Sequence, residues 1–338
     1  MKVLSQGRTA VANRLPGVMT CAVVALAATF LSEHYGGPQL LYALLIGLAF
    51  HFLISHPQTK EGVDFCGRTL LRLGVALLGV RITLPQVTSL GAASAAMVFA
   101  AVMLTIAFGV LLAKWLGRPR EEGLLSGCAV GICGASAALA VSSVLPQTKE
   151  NERFTLLVVV GVTVMSTLAM IIYPLGLGLI GFTPNQSGVF LGGTIHDVAQ
   201  VVAAGMILGP QTADIATIVK LFRVMLLMPV VLVVAILYRN HPSVEVNNDA
   251  VPLVPGFLIA FIALMLLASL GTFTPVVTKF ASDGSRSLLV TAIAAVGIKT
   301  SFEDLLKLGW KPLVMLVGDT LFIAGFVLAM IFSIRLVA

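Results

Sequence analysis

Apolar runs close to the length of a membrane span recur along the whole sequence and restrict the folds open to it. A helix needs about 20 mostly apolar residues to cross the hydrocarbon core of a bilayer. Only 11% of the residues are charged, against about 25% in soluble domains. We therefore predict an all-α polytopic membrane protein of about nine to eleven transmembrane helices, with one membrane domain over residues 1–338. The candidate segments are 15–32, 38–54, 65–82, 92–116, 122–144, 153–181, 186–208, 213–238, 251–272, 284–300 and 309–334.

The net charge of +6 comes from basic residues that cluster at the ends of these segments. Such clusters are typical of cytoplasmic loops, and they predict that the N-terminus lies in the cytoplasm. Lys149 and Arg153 lie outside if segment 122–144 crosses the membrane, and inside if it is re-entrant. The aromatic, basic surface of a nucleic-acid-binding protein is missing, so the expected surroundings are the lipid bilayer and not nucleic acid.

An internal repeat relates residues 68–91 to residues 286–309 at a constant offset, with seven of 24 positions identical. An odd number of segments separates the third from the tenth, so the two copies should have opposite orientations. Inverted repeats are typical of secondary transporters. We expect the copies to extend over about 15–116 and 213–334, with candidate core helices at 122–208. The identical pairs are Arg68/Arg286, Leu70/Leu288, Leu71/Leu289, Ala76/Ala294, Gly79/Gly297, Leu90/Leu308 and Gly91/Gly309.

The stretch from Gly192 to Arg223 carries an unusual number of polar side chains for membrane sequence. Lys220 and Arg223 are three residues apart and share a helix face. Charged groups at membrane depth usually face a cavity or a partner. An alternative is that both cations reach the interface from a helix that starts later. His196 and Asp197 are either a proton-coupling pair with Gln200 or a satisfied structural pair.

Segments 122–144 and 186–208 are rich in Gly, Ala and Ser, which predicts that each helix is broken or re-entrant. New helix N-termini at mid-depth would attract an anion. We therefore expect an anion site with Lys220 and Arg223 balancing the charge. Arg72 is a possible vestibule residue or an anchor at the interface. For the small residues of segment 122–144, close packing of helices is the alternative to an anion site. The other expected binding residues are Gly131, Cys133, Gly134, Ser136 and Thr194.

Three stretches, GICGASAALA at 131–140, GGTIHDVAQVVAAG at 192–205 and ATIVKLFRV at 216–224, resemble the YeiH-like family of bacterial inner-membrane proteins. The resemblance covers about 15–335 and implies export of sulfate, the label of that family. The family is distantly similar to the bile-acid-symporter and sodium–proton-antiporter group. That similarity implies a panel domain, a core domain with two broken crossing helices, and a homodimer. It implies that segments 122–144 and 186–208 are the broken helices.

The sequence by itself favours a secondary active transporter of a small inorganic or organosulfur anion, such as sulfate, sulfite or an organic sulfonate. Coupling to H⁺ or Na⁺ fits the polar stretch. A passive anion channel and a membrane sensor that does not transport remain alternatives. An enzyme is not expected, because no nucleophile elbow, Walker loop or zinc motif is present. The four cysteines fit no zinc spacing, and no cofactor or metal is expected.

Overall fold

The computed structural model describes residues 2–36, 38–89, 91–146, 148–238, 256–300 and 309–337. The side chains of 2–12, 86, 87, 89 and 334–337 are not among the described parts. The helices are α1 (Lys2–Tyr35), α2 (Gln39–Ala49), α3 (Pro57–Phe65), α4 (Leu71–Leu78), α5 (Leu84–Ser89), α6 (Gly91–Trp115), α7 (Arg120–Cys128), α8 (Ala135–Ser142), α9 (Lys149–Ile180), α10 (Pro184–Thr194), α11 (Val198–Leu208), α12 (Pro210–Met225), α13 (Leu227–Tyr238), α14 (Gly256–Ser269), α15 (Pro275–Lys299) and α16 (Trp310–Val337).

The all-α polytopic class is confirmed, because the described chain consists of helices and their connections and includes five long apolar ones. Five is fewer than the nine to eleven spans that we predicted. The difference has a physical origin in part: segments 38–54, 122–144 and 186–208 are each divided into shorter helices, such as α2 and α11. The five spans are Asn13–Tyr35, Gly91–Trp115, Lys149–Ile180, Pro210–Tyr238 and Trp310–Ser333.

The chain divides into two compact units. The first comprises Met1–Gln86 and Gly256–Ser301, and the second comprises Val87–Pro255 and Phe302–Ala338. We had predicted one domain with candidate core helices at 122–208. In the structure that stretch belongs to the second unit, together with α6, α12, α13 and α16.

The first unit packs α1 closely against α3 and carries an ion pair between α3 and α15. A Cβ placed on Gly17 would lie 2.1 Å from the carbonyl oxygen of Thr59, so glycine allows the two backbones to touch. Lys299 Nζ donates to Asp64 Oδ1. Arg72, the possible vestibule residue, is exposed on α4 of this unit.

The repeat is visible in the first unit as an antiparallel pair, α4 with α15. Gly74 lies against Leu289, and Ser285 Oγ donates to the Gly74 carbonyl at 2.6 Å. The repeat glycines Gly79 and Gly297 have matching surroundings. A Cβ on either one would lie 2.4 Å from a carbonyl oxygen, in α14 for Gly79 and in α2 for Gly297.

The second unit contains another equivalent pair, α6 and α16, which also run antiparallel. Phe108 stacks on Phe322 with ring centroids 4.4 Å apart, and Gly318 lies against Leu112. Each helix follows a repeat glycine with positive φ, 73° at Gly91 and 77° at Gly309. Antiparallel equivalent helices are the geometry of an inverted repeat. Repeat positions Leu90 and 301–308 lie outside the described residues.

Segment 122–144 enters the second unit beside α6, with the two backbones in close contact. A Cβ on Gly109 would lie 2.7 Å from the carbonyl oxygen of Gly123, while Gly131 lies against Val102. The entering arm therefore runs antiparallel to α6. It ends in a π-helical turn, Ala129–Cys133.

The same segment then turns back, so it forms a helical hairpin that we call the first hairpin (Arg120–Ser142). Thr155 Oγ1 donates to Ser142 Oγ at 2.9 Å, which places the end of α8 beside the first turns of α9. Arg118, just before α7, lines a cavity with Glu150 and Phe154, also at the start of α9. Both arms therefore open toward one end of the unit.

Segment 186–208 forms the second hairpin (Pro184–Leu208). A Cβ on Gly192 would lie 2.4 Å from the Ala216 carbonyl oxygen, while Gly188 contacts Ile215. Those contacts make α10 parallel to α12. A Cβ on Gly205, near the end of α11, would lie 2.5 Å from Cα of Ala213, so α11 ends where α12 begins.

The two hairpins enter from opposite ends of the unit. The second hairpin begins beside the end of α9, where Phe190 and Tyr173 make an edge-to-face contact at 5.2 Å. The first hairpin begins at the other end of this helix of 32 residues. We expected two broken helices that cross. Both interruptions are present, but each segment returns to its own end, because its second arm packs beside the helix that follows it.

Candidate functional site

The tips of the two hairpins meet in the middle of the second unit. Gly134, at the tip of the first hairpin, has φ 68° and ψ −129°, a conformation that favours glycine. A Cβ placed on it would lie 3.5 Å from Cβ of His196, at the tip of the second hairpin. There the chain is extended at Ile195 and Asp197. Four helix ends converge at this point. Two are the C-terminal ends of the entering arms, α7 with its π-helical turn and α10, and two are the N-terminal ends of the returning arms, α8 and α11.

Lys220 of α12 is completely buried at the tips, with 0% exposure. Its ammonium group donates to the carbonyl oxygen of Ile132 at 2.6 Å and to that of Ile195 at 3.0 Å. One carbonyl comes from each hairpin. The cation therefore joins the two tips. Lys220 lies about 15 Å along α12 from Pro210, the first residue of that helix.

Arg223, also 0% exposed, completes this cluster. Its guanidinium donates to the carbonyls of Val130 at 2.7 Å and Gly131 at 2.9 Å in the first hairpin. It also donates to Gly192 and Ile195 of the second hairpin, both at 3.0 Å. The alternative that these cations reach the interface is wrong, because both are buried.

The cations therefore meet a different partner from the one we expected. We predicted that Lys220 and Arg223 balance the charge of a bound anion. Every described hydrogen bond from the two side chains goes to a backbone carbonyl at the end of an entering arm. These carbonyls carry the negative end of a helix dipole, and the cations satisfy them.

Asp197 has a comparable role at the N-terminal end of α11. Its Oδ1 accepts from the Ala199 amide at 2.8 Å, and its own amide donates to Ser166 Oγ at 3.1 Å. A carboxylate at this position caps the helix and faces the positive end of its dipole. Asp197 therefore stabilises the returning arm of the second hairpin.

The returning arm of the first hairpin, α8, has no such cap. Its N-cap residue is Gly134, and no side-chain cap hydrogen bond is present there. The Ala137 amide lies against the Cys133 thiol, so Cys133 takes part in this helix start. Ser136 is exposed and Ala135 is half-buried. The first turn of α8 is thus the exposed helix end at the tips.

His196 and Gln200 are buried at 1% exposure each, with polar atoms left over. Thr320 donates to the Leu316 carbonyl at 2.7 Å, so its oxygen accepts from His196 Nε2 at 3.0 Å. In the neutral ring Nδ1 is then an acceptor. Gln200 Nε2 donates to Thr167 at 2.8 Å. Within the described residues, His196 Nδ1 and Gln200 Oε1 have no hydrogen-bond partner.

Thr194, the remaining predicted binding residue, donates to the Phe190 carbonyl of its own helix at 2.7 Å and is fully buried. The structure thus brings the predicted residues of both hairpins to one place, while Arg72 lies in the first unit.

Sequence reasoning missed Asp319. This residue of α16 is 0% exposed, and Ser126 of the first hairpin donates to its Oδ2 at 2.5 Å. A signal was available, because Asp319 is the only acidic residue in segment 309–334.

The end of the unit where the first hairpin opens is basic. A cavity of about 410 Å³ there is lined by Arg118, Arg153 and Lys311, with Glu150 as the acidic residue. Arg118 also pairs with Glu122 at the start of α7. At the opposite end, the connections Gly181–Thr183 and Gly209 contain no lysine or arginine.

This architecture defines the class: an all-α polytopic membrane protein built around two re-entrant hairpins. The family described as Conserved hypothetical protein 698 matches residues 16–316, and the chain belongs to this family. A UPF0324 membrane protein of Chlorobaculum tepidum is 49% identical over 93% of this chain and 88% of its own length.

The UPF0324 membrane protein TauZ of Paracoccus pantotrophus is 48% identical over 95% of this chain and 96% of its own length. A UPF0324 membrane protein of Bacillus anthracis is 32% identical over 92% and 93%. These relatives confirm the resemblance to a conserved family of bacterial membrane proteins.

Proposed function

We propose that this protein is a secondary active transporter of a small anion, such as sulfate, sulfite or an organic sulfonate. The anion binds at the first turn of α8, where the amides of Ala135 and Ser136 and the Ser136 hydroxyl are its ligands. The observation that carries this proposal is the unequal treatment of the four helix ends at the tips. Three of them have a charged partner, and the start of α8 has none among the described residues.

The charges at the tips support an anion over a cation. Two entering arms contribute two negative helix ends and two returning arms contribute two positive ones, so these partial charges balance. Lys220 and Arg223 contribute two positive charges, and Asp197 contributes one negative charge. One positive charge remains, and its surroundings are buried, so an anion at α8 is favoured.

The hairpins support alternating access over a passive pore. Hairpins that enter from opposite ends place their tips at mid-depth, which is where secondary transporters bind substrate. Ser136 is exposed while Thr194 and His196 are buried, so the tip of the first hairpin is accessible and that of the second is enclosed. Transport of this kind changes no covalent bond in the anion, so we propose no enzymatic activity.

The location and orientation follow from the basic end of the unit. Cytoplasmic ends of bacterial membrane proteins are rich in lysine and arginine, so we place this end in the cytoplasm and the protein in the inner membrane. Lys149 and Arg153 then share the cytoplasmic side with Arg118, as re-entry of segment 122–144 requires. The same basic cavity would raise the local concentration of anions at the entrance.

The test compares Ser136→Asp with Ser136→Asn in proteoliposomes that contain the full chain. The two side chains have nearly the same size and differ in charge. Uptake of labelled sulfate, sulfite and a small alkylsulfonate is measured with and without a pH gradient. Because Asp caps α8 from its first turn and repels anions, we expect uptake to fall by about tenfold or more in Ser136→Asp.

Ser136→Asn serves as the matched control: it also loses the Ser136 hydroxyl but adds no charge and keeps a donor, so uptake should fall clearly less than in Ser136→Asp. Equal uptake by the two variants would show that the anion does not bind at α8. Flux that ignores an imposed pH gradient and does not saturate would favour a passive channel. Absence of flux for all three anions in the folded wild type would favour a sensor over a transporter.

A further inference from the structure

Asp319 is a buried carboxyl group without a described charged partner. It lies on the membrane-spanning helix α16 and is 0% exposed. Ser126 donates to Oδ2, and Oδ1 has no hydrogen-bond partner among the described residues. An ionised carboxylate in such surroundings is strongly unfavourable unless a cation or several donors accompany it. A proton on the carboxyl group removes that unfavourable charge.

Among the described residues, no lysine or arginine forms an ion pair with Asp319. The described ion pairs of the chain are Arg118 with Glu122 and Lys299 with Asp64. On α7, Cys128 is close enough to interact with Asp319 electrostatically. The other titratable groups on packed elements are Lys114 of α6, Arg120, Glu121 and Glu122 of α7, Cys133 of the π-helical turn, and Lys149, Glu150, Glu152, Arg153 and Tyr173 of α9, while α10 has none.

The neighbouring residue connects Asp319 to the tips. Thr320 accepts from His196 at the tip of the second hairpin, whereas Asp319 accepts from Ser126 in the entering arm of the first hairpin. Two consecutive residues of α16 therefore hold one hairpin each. A change in the charge of Asp319 acts on the first hairpin, whose tip carries the proposed anion site.

We infer that Asp319 is a proton-binding site of this protein and that its proton moves together with the anion in the same direction. The inference rests on the proposed function, because it names the coupling group of the same transporter. With Asp319 protonated, the tips keep one net positive charge and bind the anion. With Asp319 ionised, the added negative charge cancels it and weakens anion binding.

Linkage then fixes the sign of the coupling. A proton that strengthens anion binding is itself held more tightly when the anion is bound. Anion binding should therefore weaken as the pH rises through the titration of Asp319. For one coupled proton, a gradient of one pH unit drives about tenfold accumulation of the anion.

The transport experiment uses proteoliposomes with wild type, Asp319→Asn and, as the matched control, Asp283→Asn, which changes an exposed aspartate of the first unit. Labelled sulfate, sulfite and alkylsulfonate exchange is measured at equal pH on both sides, and proton movement is followed with a pH-sensitive dye. Asparagine resembles the protonated carboxyl group, so Asp319→Asn should keep anion exchange within about threefold but lose accumulation under a pH gradient. Asp283→Asn should keep that accumulation.

A second measurement does not depend on transport. A pH-difference infrared spectrum of the purified protein should contain a carboxylic C=O stretching band that disappears in Asp319→Asn but stays in Asp197→Asn. The inference is overturned if Asp319→Asn remains coupled, if wild-type flux is uncoupled, or if this band is missing. Failure of anion flux in folded wild type would contradict the proposed function, while the infrared titration still decides whether Asp319 binds a proton.

Discussion

The two hairpins both bury helix ends at their tips, but they compensate the charge of these ends differently. Each places a helix C-terminal end and a helix N-terminal end in a buried region, and each gives its C-terminal carbonyls to the cations of α12. They differ at the returning arm. The second hairpin begins its return with a capping carboxylate, Asp197. The first begins it at Gly134, which has no side chain to offer.

The difference indicates that the two hairpins have different roles. The capping carboxylate compensates the positive end of the α11 dipole, so the second hairpin has a structural role. Its His196 also binds Thr320 of α16. An uncapped end beside an exposed serine is ready for a ligand. The first hairpin is therefore the one that we propose to bind the anion, although both have similar small residues at their tips.

The largest effect should follow from removing what the hairpins share. Arg223→Ala leaves the carbonyls of Val130, Gly131 and Gly192 buried without this donor. Unsatisfied buried groups cost about 1–3 kcal/mol each, so we expect a loss of at least about 3 kcal/mol in the free energy of unfolding. Arg223→Lys, which keeps the charge, should lose less.

The measurement is the unfolding midpoint of the detergent-solubilised protein, and Arg153→Ala is the matched control. Arg153 is exposed at the basic end, so its replacement should change stability by about 0.5 kcal/mol or less. Wild-type stability in Arg223→Ala would mean that the carbonyl contacts do not hold the tips together.

The next prediction separates the hairpins through one glycine in each. Gly134→Ala forces a side chain into a conformation with φ 68°, which costs about 1–3 kcal/mol. At Gly193 of the second hairpin the backbone is helical, and an added Cβ would meet Val327 at 3.4 Å. Alanine favours a helix over glycine by about 0.5–1 kcal/mol, so Gly193→Ala should be neutral or stabilising.

Thermal unfolding of both variants checks this prediction. Opposite signs would support a strained tip in the first hairpin and a regular helix in the second. Equal destabilisation would show that the two interruptions have the same origin, and the comparison between the hairpins would then lose its basis.

The sequence predicted the class and the positions of the interruptions, because apolar length and small-residue content are local properties. Segments 122–144 and 186–208 are both interrupted in the structure. Whether they cross or return could not be read from composition. It depends on whether the second arm ends at the end of the unit where the first arm begins. The cavity that Arg118, before the first arm, shares with Glu150 and Phe154 of α9 shows this return, and these residues are far apart in the sequence.

The candidate site shows a similar limit. The spacing of Lys220 and Arg223 predicted that they act on one face, and the structure places both at the tips. The spacing could not tell which end of a broken helix they meet. A cation stabilises a C-terminal end, whereas an anion is attracted to an N-terminal end. Asp319 has a signal of its own, as the lone acidic residue of its segment, but the sequence does not show that it meets Ser126 of the first hairpin.

The smallest effect should come from replacing Asp197, the capping residue that distinguishes the second hairpin from the first. Asp197→Asn keeps an acceptor for the Ala199 amide, so the unfolding free energy should change by only a few tenths of a kcal/mol, whereas Asp197→Ala should lose about 0.5–2 kcal/mol. Removing the carboxylate also leaves the tips more positive, so half-saturation of anion uptake should occur at a lower concentration in Asp197→Asn. Unchanged half-saturation with unchanged stability would mean that the charge of the cap does not reach the start of α8. The two returning arms would then be electrostatically independent, and the anion would be held by α8 alone.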